Sequence, residues 1–425
     1  MSLTPSTDRV HISILGRMNA GKSTFINALT NSNISIVDST PGTTADAKIS
    51  LMQLHKLGPA KIFDCAGMDE EKVLGAKKLK KTMRIAKMSD LVIHVIEEDN
   101  LRNGPLNRNV ISQYERKIKN QPLGIEVEQI IKNLQGTKSV INVVNFKKAV
   151  TPLSVYEKHY LNGPIFAQNL QKTTSADLCQ FLEKHADFDF LNTQELIPKF
   201  LKPNDNVLMI TPLDREAPKQ RLLRPQAMAL EAFLANKISV TILNLDLQKY
   251  RAGDVVTVNA LKNLASTAQF ILTDSQAVDI IAPLKRPFST FSIQQIRYLA
   301  GEYFDYLINS LDKFKNAKNK RVLIAEACTH DRLTSICEDI GTRQIPDQLK
   351  KLGAEYEFSF GKDDEILEKQ NFDLAIHCGG CMISKQQVRS RLKALVDKGI
   401  PVTNYGMFLA FAKCGSVGGA VEVWK

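Results

Sequence analysis

Three cysteines and two histidines form the pattern best suited to inorganic chemistry: Cys328-x-His330, then residues 331–376, then His377-Cys378-x-x-Cys381. Two thiolates two residues apart can grip one metal ion or cluster. The Gly379-Gly380 pair between them lets the backbone wrap an inorganic core and turn N–H groups toward it. Cys328 and Cys378 each follow a short apolar run, at 321–327 and 372–377. Both runs read as buried parallel strands, so both ligand groups should emerge at strand carboxyl ends and face one crevice. Zinc would favour a closed tetrahedron such as Cys3His in a small domain that needs the metal to fold. Here the ligands sit on what reads as a self-sufficient α/β layer. An iron–sulfur cluster held by three thiolates, with a histidine or an exchangeable ligand in the fourth position, fits better. Cys65, Cys179, Cys337 and Cys414 stand outside the pattern and read as structural.

A second constellation lies near the start of the chain. Val10, Ile12, Ile14 and Leu15 read as a strand, followed by Gly16-Arg17-Met18-Asn19-Ala20-Gly21-Lys22-Ser23, a full G-x-x-x-x-G-K-S. Thr24 is a further candidate nucleotide contact, and Phe25, Ile26 and Leu29 then start a helix. In this strand–loop–helix setting the backbone N–H groups of the loop and the helix N-terminus cradle phosphates. Lys22 reaches the β/γ oxygens and the Ser23 hydroxyl ligates Mg²⁺. Pro41-Gly42-Thr43-Thr44 reads as a switch segment whose threonines bind Mg²⁺ and sense the γ-phosphate. Asp64-Cys65-Ala66-Gly67 is a D-x-x-G, in which Asp64 holds Mg²⁺ through water and the Gly67 N–H meets the γ-phosphate. Met68 stands where signalling GTPases place a water-orienting glutamine. Hydrolysis should therefore be slow, or rely on Asp69, Glu70, Glu71 or a bound cation. Asn19 and the Gly-Thr-Thr segment resemble the potassium-activated branch of translation-factor-type GTPases, which implies K⁺ stimulation. After a strand at 140–144 the guanine-reading pattern N-K-x-D falls on Asn145-Phe146-Lys147-Lys148. Only the asparagine is kept, which leaves guanine specificity open. Ser175-Ala176 is a two-residue match to the last base-reading loop.

The elements that must position these groups follow from composition and pattern. The chain has 425 residues, 44% hydrophobic and 24% charged, as in ordinary globular proteins, and that length suits two to four domains. No apolar run approaches the roughly 20 residues of a membrane span, and no secretory signal opens the chain. A net charge of +11 permits acidic partners, but the basic residues are scattered. Strands expected at 206–213, 239–244, 268–273, 321–327, 354–360 and 372–377 alternate with helices at 222–234, around Leu261 and at 384–397. The expected fold is α/β in three parts: a P-loop domain at 1–198, an α/β middle domain at 199–315 suited to dimerisation, and a cluster-binding α/β domain at 316–425. The last two should be architecturally alike.

Taken together, Gly-Arg-x-Asn-Ala-Gly-Lys-Ser, Pro-Gly-Thr-Thr, the stretch Arg321-Val-Leu-Ile-Ala-Glu-Ala-Cys-Thr-His330, His377-Cys-Gly-Gly-Cys-Met382 and Pro401-Val-Thr-Asn-Tyr-Gly406 resemble the FeFe-hydrogenase maturation GTPase family, HydF. The resemblance implies a three-domain, often dimeric GTPase carrying a 4Fe-4S cluster. Such a protein is scaffold and carrier for a transient two-iron precursor of the hydrogenase H-cluster. Cofactors implied are GTP, Mg²⁺, K⁺ and the cluster; partners are two radical-SAM maturases and the apo-hydrogenase. Carried over, Cys328, Cys378 and Cys381 are cluster thiolates, and His330 and His377 are candidates for the fourth ligand. The expected compartment is the cytoplasm, or the matrix of a hydrogen-producing organelle. The competing reading is an Era or tRNA-modification type GTPase acting on RNA, compatible with an isoelectric point near 9.1. It is disfavoured because no G-x-x-G loop in a suitable setting and no aromatic-rich strand for stacking bases is found. Nucleic acid is therefore not expected as a partner, nor is a membrane.

Overall fold

Parallel strands covered on both faces need apolar side chains at nearly every position. Strand β1 (Val10–Leu15) meets that demand with six buried residues in a row. It pairs in parallel with β3 (Gly58–Cys65) on one side and β4 (Leu91–Glu97) on the other. Strands β5 (Ser139–Asn145) and β6 (Ile165–Gln168) continue the parallel ladder, and β2 (Ala47–Leu54) closes the far edge antiparallel to β3. The order β2-β3-β1-β4-β5-β6 belongs to the first of two compact units, Met1–Phe190 and Leu191–Lys425. The computed structural model describes residues 9–17, 19–30, 47–54, 58–65, 82–102, 131, 134, 139–148, 150–153, 161, 163–186, 196–212, 222–317, 320–327, 340–360, 371–380 and 383–425. Numbering only the longer helices, α1 (Lys22–Thr30) buries Phe25, Ile26 and Leu29, and α2 (Ser175–His185) buries Leu178 and Leu182, one turn apart. The two helices meet where the Ser175 hydroxyl donates to the Leu29 carbonyl at 2.7 Å.

The second unit holds two four-stranded parallel sheets. One comprises β7 (Asn206–Pro212), β8 (Ser239–Leu245), β9 (Phe270–Thr273) and β10 (Phe288–Thr290), in the order β10-β9-β7-β8. The other comprises β11 (Arg321–Glu326), β12 (Glu355–Phe360), β13 (Leu374–His377) and β14 (Val402–Asn404), in the order β12-β11-β13-β14. Numbered within each sheet, both run 2-1-3-4, which bears out the expected likeness. In such a sheet the chain leaves the first strand toward one edge and returns on its other side. A crevice therefore opens at the carboxyl ends of strands 1 and 3, which here are β7/β9 and β11/β13. Helices α3 (Arg224–Ala235), α4 (Val255–Thr267), α5 (Phe291–Ala300), α6 (Phe304–Lys315), α7 (Lys385–Asp397) and α8 (Tyr405–Cys414) complete the layers. The two sheets share one continuous apolar core, from Leu196 and Val207 through Phe314 and Val322 to Trp424. The expected boundary at 315/316 falls between α6 and β11, inside this core. Strand β8 is an edge, with Ile242 44% exposed; beside it, Val255 and Val256 at the start of α4 are 69% and 77% exposed. Among the described residues no helix is long and apolar enough to cross a membrane.

Candidate nucleotide and cluster sites

The loop between β1 and α1 is set by close backbone approach. A Cβ on Gly16 would lie 2.4 Å from the Val95 carbonyl oxygen, and one on Gly21 2.4 Å from the Asn145 Nδ2, so neither position has room for a side chain. Asn19 adopts φ +58°, a left-handed conformation asparagine tolerates better than most residues. Lys22 is buried, and its Nζ donates to the carbonyls of Gly16 (3.0 Å) and Arg17 (2.8 Å). The loop is thus curled around an ammonium group at a helix N-terminus, a geometry suited to phosphate. Ala20 is buried, Ser23 exposed and Thr24 half-buried in the first turn. Asp64 stands opposite Ile14 in the β1–β3 ladder. Beside it the Cys65 thiol is pushed up to about 12, chiefly by burial and further by the Asp64 charge, while Lys22 opposes the shift. Lys22 and Asp64 thus both act electrostatically on the Cys65 thiol. Cys65 is an inert core thiol, as expected.

Asn145 ends β5. Its Nδ2 reaches the Ala20 carbonyl at 3.5 Å and its Oδ1 accepts the Leu170 N–H at 3.4 Å, tying the phosphate loop to the loop after β6. Beyond it, Phe146 is fully buried with Ile96, Leu101, Val144, Leu153 and Leu161, and its N–H donates to the Gln168 carbonyl at 3.0 Å. Lys147 pairs with Glu97, which raises the lysine above its ordinary value. Lys148 is exposed. Ser175-Ala176 does not form a base-reading loop but opens α2. Thr174 caps that helix by accepting the Asp177 N–H, while the Asp177 carboxylate accepts the Thr174 N–H, a reciprocal cap that commits the segment to helix. The loop following β6 is instead 169–174. Thr43, Thr44 and Gly67 lie outside the described residues, as does Met68.

In the second unit Cys378 directly follows β13, at the crevice between β11 and β13. Its N–H donates to the Ala325 carbonyl (3.0 Å), and its buried Sγ accepts the Ala327 N–H at 3.2 Å. Ala327 is the residue before Cys328 in the sequence, so the end of the β11 run meets Cys378 at the switch point. Cys328, His330 and Cys381 themselves, and Cys337, lie outside the described residues. His377 is fully buried. Arg391 Nε donates to its Nε2 at 2.9 Å, so the proton sits on Nδ1, which donates to the Cys378 carbonyl at 2.7 Å. Burial, and then the Arg391 charge, lower its pKa to about 3 despite that carbonyl contact. Both ring nitrogens are thus engaged within the protein, and His377 braces the Cys378 backbone. Sequence reasoning missed Arg391, though Val388, Arg391 and Leu395 share one buried helical stripe, where an arginine is conspicuous. Tyr405 donates to Glu326 Oε2 at 2.6 Å beside the same strand ends. Among the described residues no group of three His, Cys, Asp or Glu side chains could hold a metal. Cys179 is half-buried; Cys414, expected to be structural, is exposed at the end of α8, where a core role is excluded.

A P-loop on a six-stranded, mostly parallel sheet, followed by two 2-1-3-4 parallel sheets, defines an N-terminal P-loop GTPase domain joined to further α/β layers. Residues 11–153 match the 50S ribosome-binding GTPase family, 196–299 the hydrogen maturase F dimerization domain and 305–421 the hydrogen maturase F tetramerization domain. The chain belongs to the hydrogen maturase F family. GTPase Der of Nitratiruptor sp. is 29% identical over 148 residues, 34% of this chain and 30% of that protein. A probable tRNA modification GTPase MnmE of Cyanidioschyzon merolae is 36% identical over 89 residues, 21% of this chain and 20% of that protein. The chain thus spans less than a third of the length of these curated relatives. Among solved structures, Era of Aquifex aeolicus is 19% identical and covers 58% of this chain and 96% of its own, with a TM-score of 0.30. The G domain of the T. maritima FeoB iron transporter is 20% identical, covering 42% and 99%, with a TM-score of 0.28.

Proposed function

We propose that the chain is a GTP-hydrolysing iron–sulfur scaffold and carrier that assembles the two-iron subcluster of the H-cluster and delivers it to apo FeFe-hydrogenase. The observation that carries this reading is the contact between the Cys378 thiol and the Ala327 N–H. It brings Ala327, the residue before Cys328 in the sequence, against Cys378 at the switch-point crevice. The donor chemistry fits a cluster: a backbone N–H directed at a buried cysteine sulfur is the kind of hydrogen bond that iron–sulfur centres use on their sulfurs. In this reading Cys328, Cys378 and Cys381 hold a 4Fe-4S cluster, whose chemistry is electron transfer and the anchoring of an iron-bearing cargo. His330 or an exchangeable ligand completes the set, and His377 braces Cys378. The two-iron precursor is cargo.

In the first unit Gly16, Asn19, Ala20, Gly21, Lys22, Ser23 and Thr24 cradle GTP, with Ser23 and Thr44 on Mg²⁺. Asp64 acts on Mg²⁺ through water, Thr43 and Gly67 sense the γ-phosphate, Asn145 supports the loop and Asn19 supports a K⁺ ion. Hydrolysis is slow and K⁺-stimulated. The division into 1–198, 199–315 and 316–425 assigns nucleotide, dimerisation and cluster roles in turn. The uncovered edge strand β8 with Ile242, Val255 and Val256 supports a homodimer through the middle stretch. Partners are the two radical-SAM maturases and the apo-hydrogenase, in the cytoplasm or in a hydrogen-producing organelle. The test is anaerobic reconstitution with iron and sulfide, followed by activation of apo FeFe-hydrogenase. The protein should turn brown with visible charge-transfer absorption. Cys328→Ser, Cys378→Ser and Cys381→Ser should each lose the iron, while Cys337→Ser keeps it. If Cys337→Ser alone emptied the site, the ligand assignment would be wrong.

A further inference from the structure

Helix α5 belongs to the stretch matched as a dimerization domain, yet one of its faces packs on the cysteine loop. The Ser292 hydroxyl lies 3.8 Å from where a Cβ on Gly379 would stand, and Leu299 Cδ1 lies 3.4 Å from where one on Gly380 would stand. Asn404, at the end of β14, donates to both the Ser292 hydroxyl (2.9 Å) and its carbonyl (3.2 Å). One residue from Leu299, Tyr298 holds the Lys385 ammonium over its ring at 4.3 Å. Residues spaced three and four apart share a helix face, so Ser292, Tyr298 and Leu299 bracket Gln295. All three meet residues that flank Cys381 in the sequence: Gly379, Gly380 and Lys385.

Gln295 is 2% exposed, and neither its Nε2 nor its Oε1 has a hydrogen-bond partner among the described residues. Its neighbour Gln294 turns to the other side and donates to the Leu196 carbonyl at 2.7 Å. A buried carboxamide unsatisfied at both ends weakens a fold, and a bound group that would satisfy it is one physical reason for a native structure to keep it. We infer that Gln295 is a positioning residue of the cluster site, its Nε2 donating to a sulfur of the inorganic group held at the Cys378 loop. This inference rests on the cluster reading. A hydrogen bond to thiolate or sulfide withdraws electron density from the sulfur, favours the reduced cluster and raises its potential. The amide is supplied by the middle sheet's helix, so the layer proposed for dimerisation also tunes the cluster layer.

The test uses the full chain, anaerobically reconstituted with iron and sulfide, as wild type, Gln295→Leu and Gln295→Glu. Leucine keeps the volume and removes both orphaned groups. Gln295→Leu should retain wild-type iron content, shift the electron paramagnetic resonance signal of the reduced cluster and move its midpoint potential to more negative values. The iron-free Gln295→Leu protein should melt at or above the wild type, because the amide has no partner there. Gln295→Glu sets an anion against an anionic cluster and should retain less iron. Three results overturn the assignment: an unchanged potential and resonance signal in Gln295→Leu, full iron retention in Gln295→Glu, or an iron-free Gln295→Leu melting well below wild type. A wild type that takes up no iron overturns the cluster reading and this inference with it. A normal wild-type cluster that is insensitive to Gln295→Leu overturns the role of Gln295 alone.

Discussion

Phe146→Ala tests why the base-reading segment departs from its expected pattern. The ring occupies the position of the pattern's lysine and is fully buried among Ile96, Leu101, Val144, Leu153 and Leu161. Truncating a buried phenylalanine costs about 3–5 kcal/mol, with the larger figure where the surroundings cannot collapse. Here Ile96 and Val144 are held opposite one another in the β4–β5 ladder, so little collapse is available. For a unit the size of Met1–Phe190, each kcal/mol lowers the melting midpoint by about 2–4 °C, giving a fall of about 6–20 °C. Calorimetry should resolve this against an internal control. The chain's single tryptophan, Trp424, is buried in the second unit with Arg297 over its ring at 5.2 Å. Its fluorescence transition should stay in place while the first unit's transition drops. A calorimetric shift under about 2 °C would refute the packing argument, and an equal shift in the Trp424 transition would refute the independence of the two cores.

Lys148 is exposed, so Lys148→Asp should fold normally. A carboxylate able to accept both guanine N–H donors, at about 1.5–3 kcal/mol for charged hydrogen bonds, should raise GTP-over-ATP discrimination roughly ten- to hundredfold. An unchanged ratio in competitive binding would mean that another residue reads the base. Lys22→Ala should abolish hydrolysis yet keep the iron content of the wild type, and it should support hydrogenase maturation poorly. Normal maturation by that variant would make the nucleotide unit a passive appendage, and equal wild-type hydrolysis rates in K⁺ and Na⁺ would remove the role given to Asn19. Ile242→Lys on the β8 edge should weaken the homodimer more than about tenfold, or 1.4 kcal/mol, as read by light scattering across a dilution series. A dimer indifferent to that charge would place the interface elsewhere.

Much of this architecture is written in short-range pattern. The phosphate loop is legible because its glycines, lysine and serine are consecutive and lie between an apolar strand and a helix. The strands β1, β5, β11 and β13 are legible because burial on both faces demands unbroken apolar runs. The H-C-x-x-C is legible because metal-ligand spacing is local. Helix α5 gives a weaker signal, since it buries Gln294 and Gln295 together with Ile293, Ile296 and Leu299, which blurs the apolar period.

Other properties depend on which distant segments meet, and local pattern carries no record of that. Asn145 reads as a nucleotide residue in sequence, and the fold adds that it ties Ala20 to Leu170. His377 reads as a candidate ligand in sequence, and the fold adds a donor to its Nε2 from Arg391, one helix later. Cys414 reads as structural in sequence, and the end of α8 leaves it exposed. Gln295 reads as an ordinary helical glutamine until Gly379 and Gly380 of the other sheet meet its helix neighbours Ser292 and Leu299. Propensity and periodicity are set by neighbours within a few residues, so the sequence alone determined the elements and their chemistry-bearing ends. Whether a polar atom is satisfied depends on long-range packing, so only the tertiary structure decided which side chains remain free to bind.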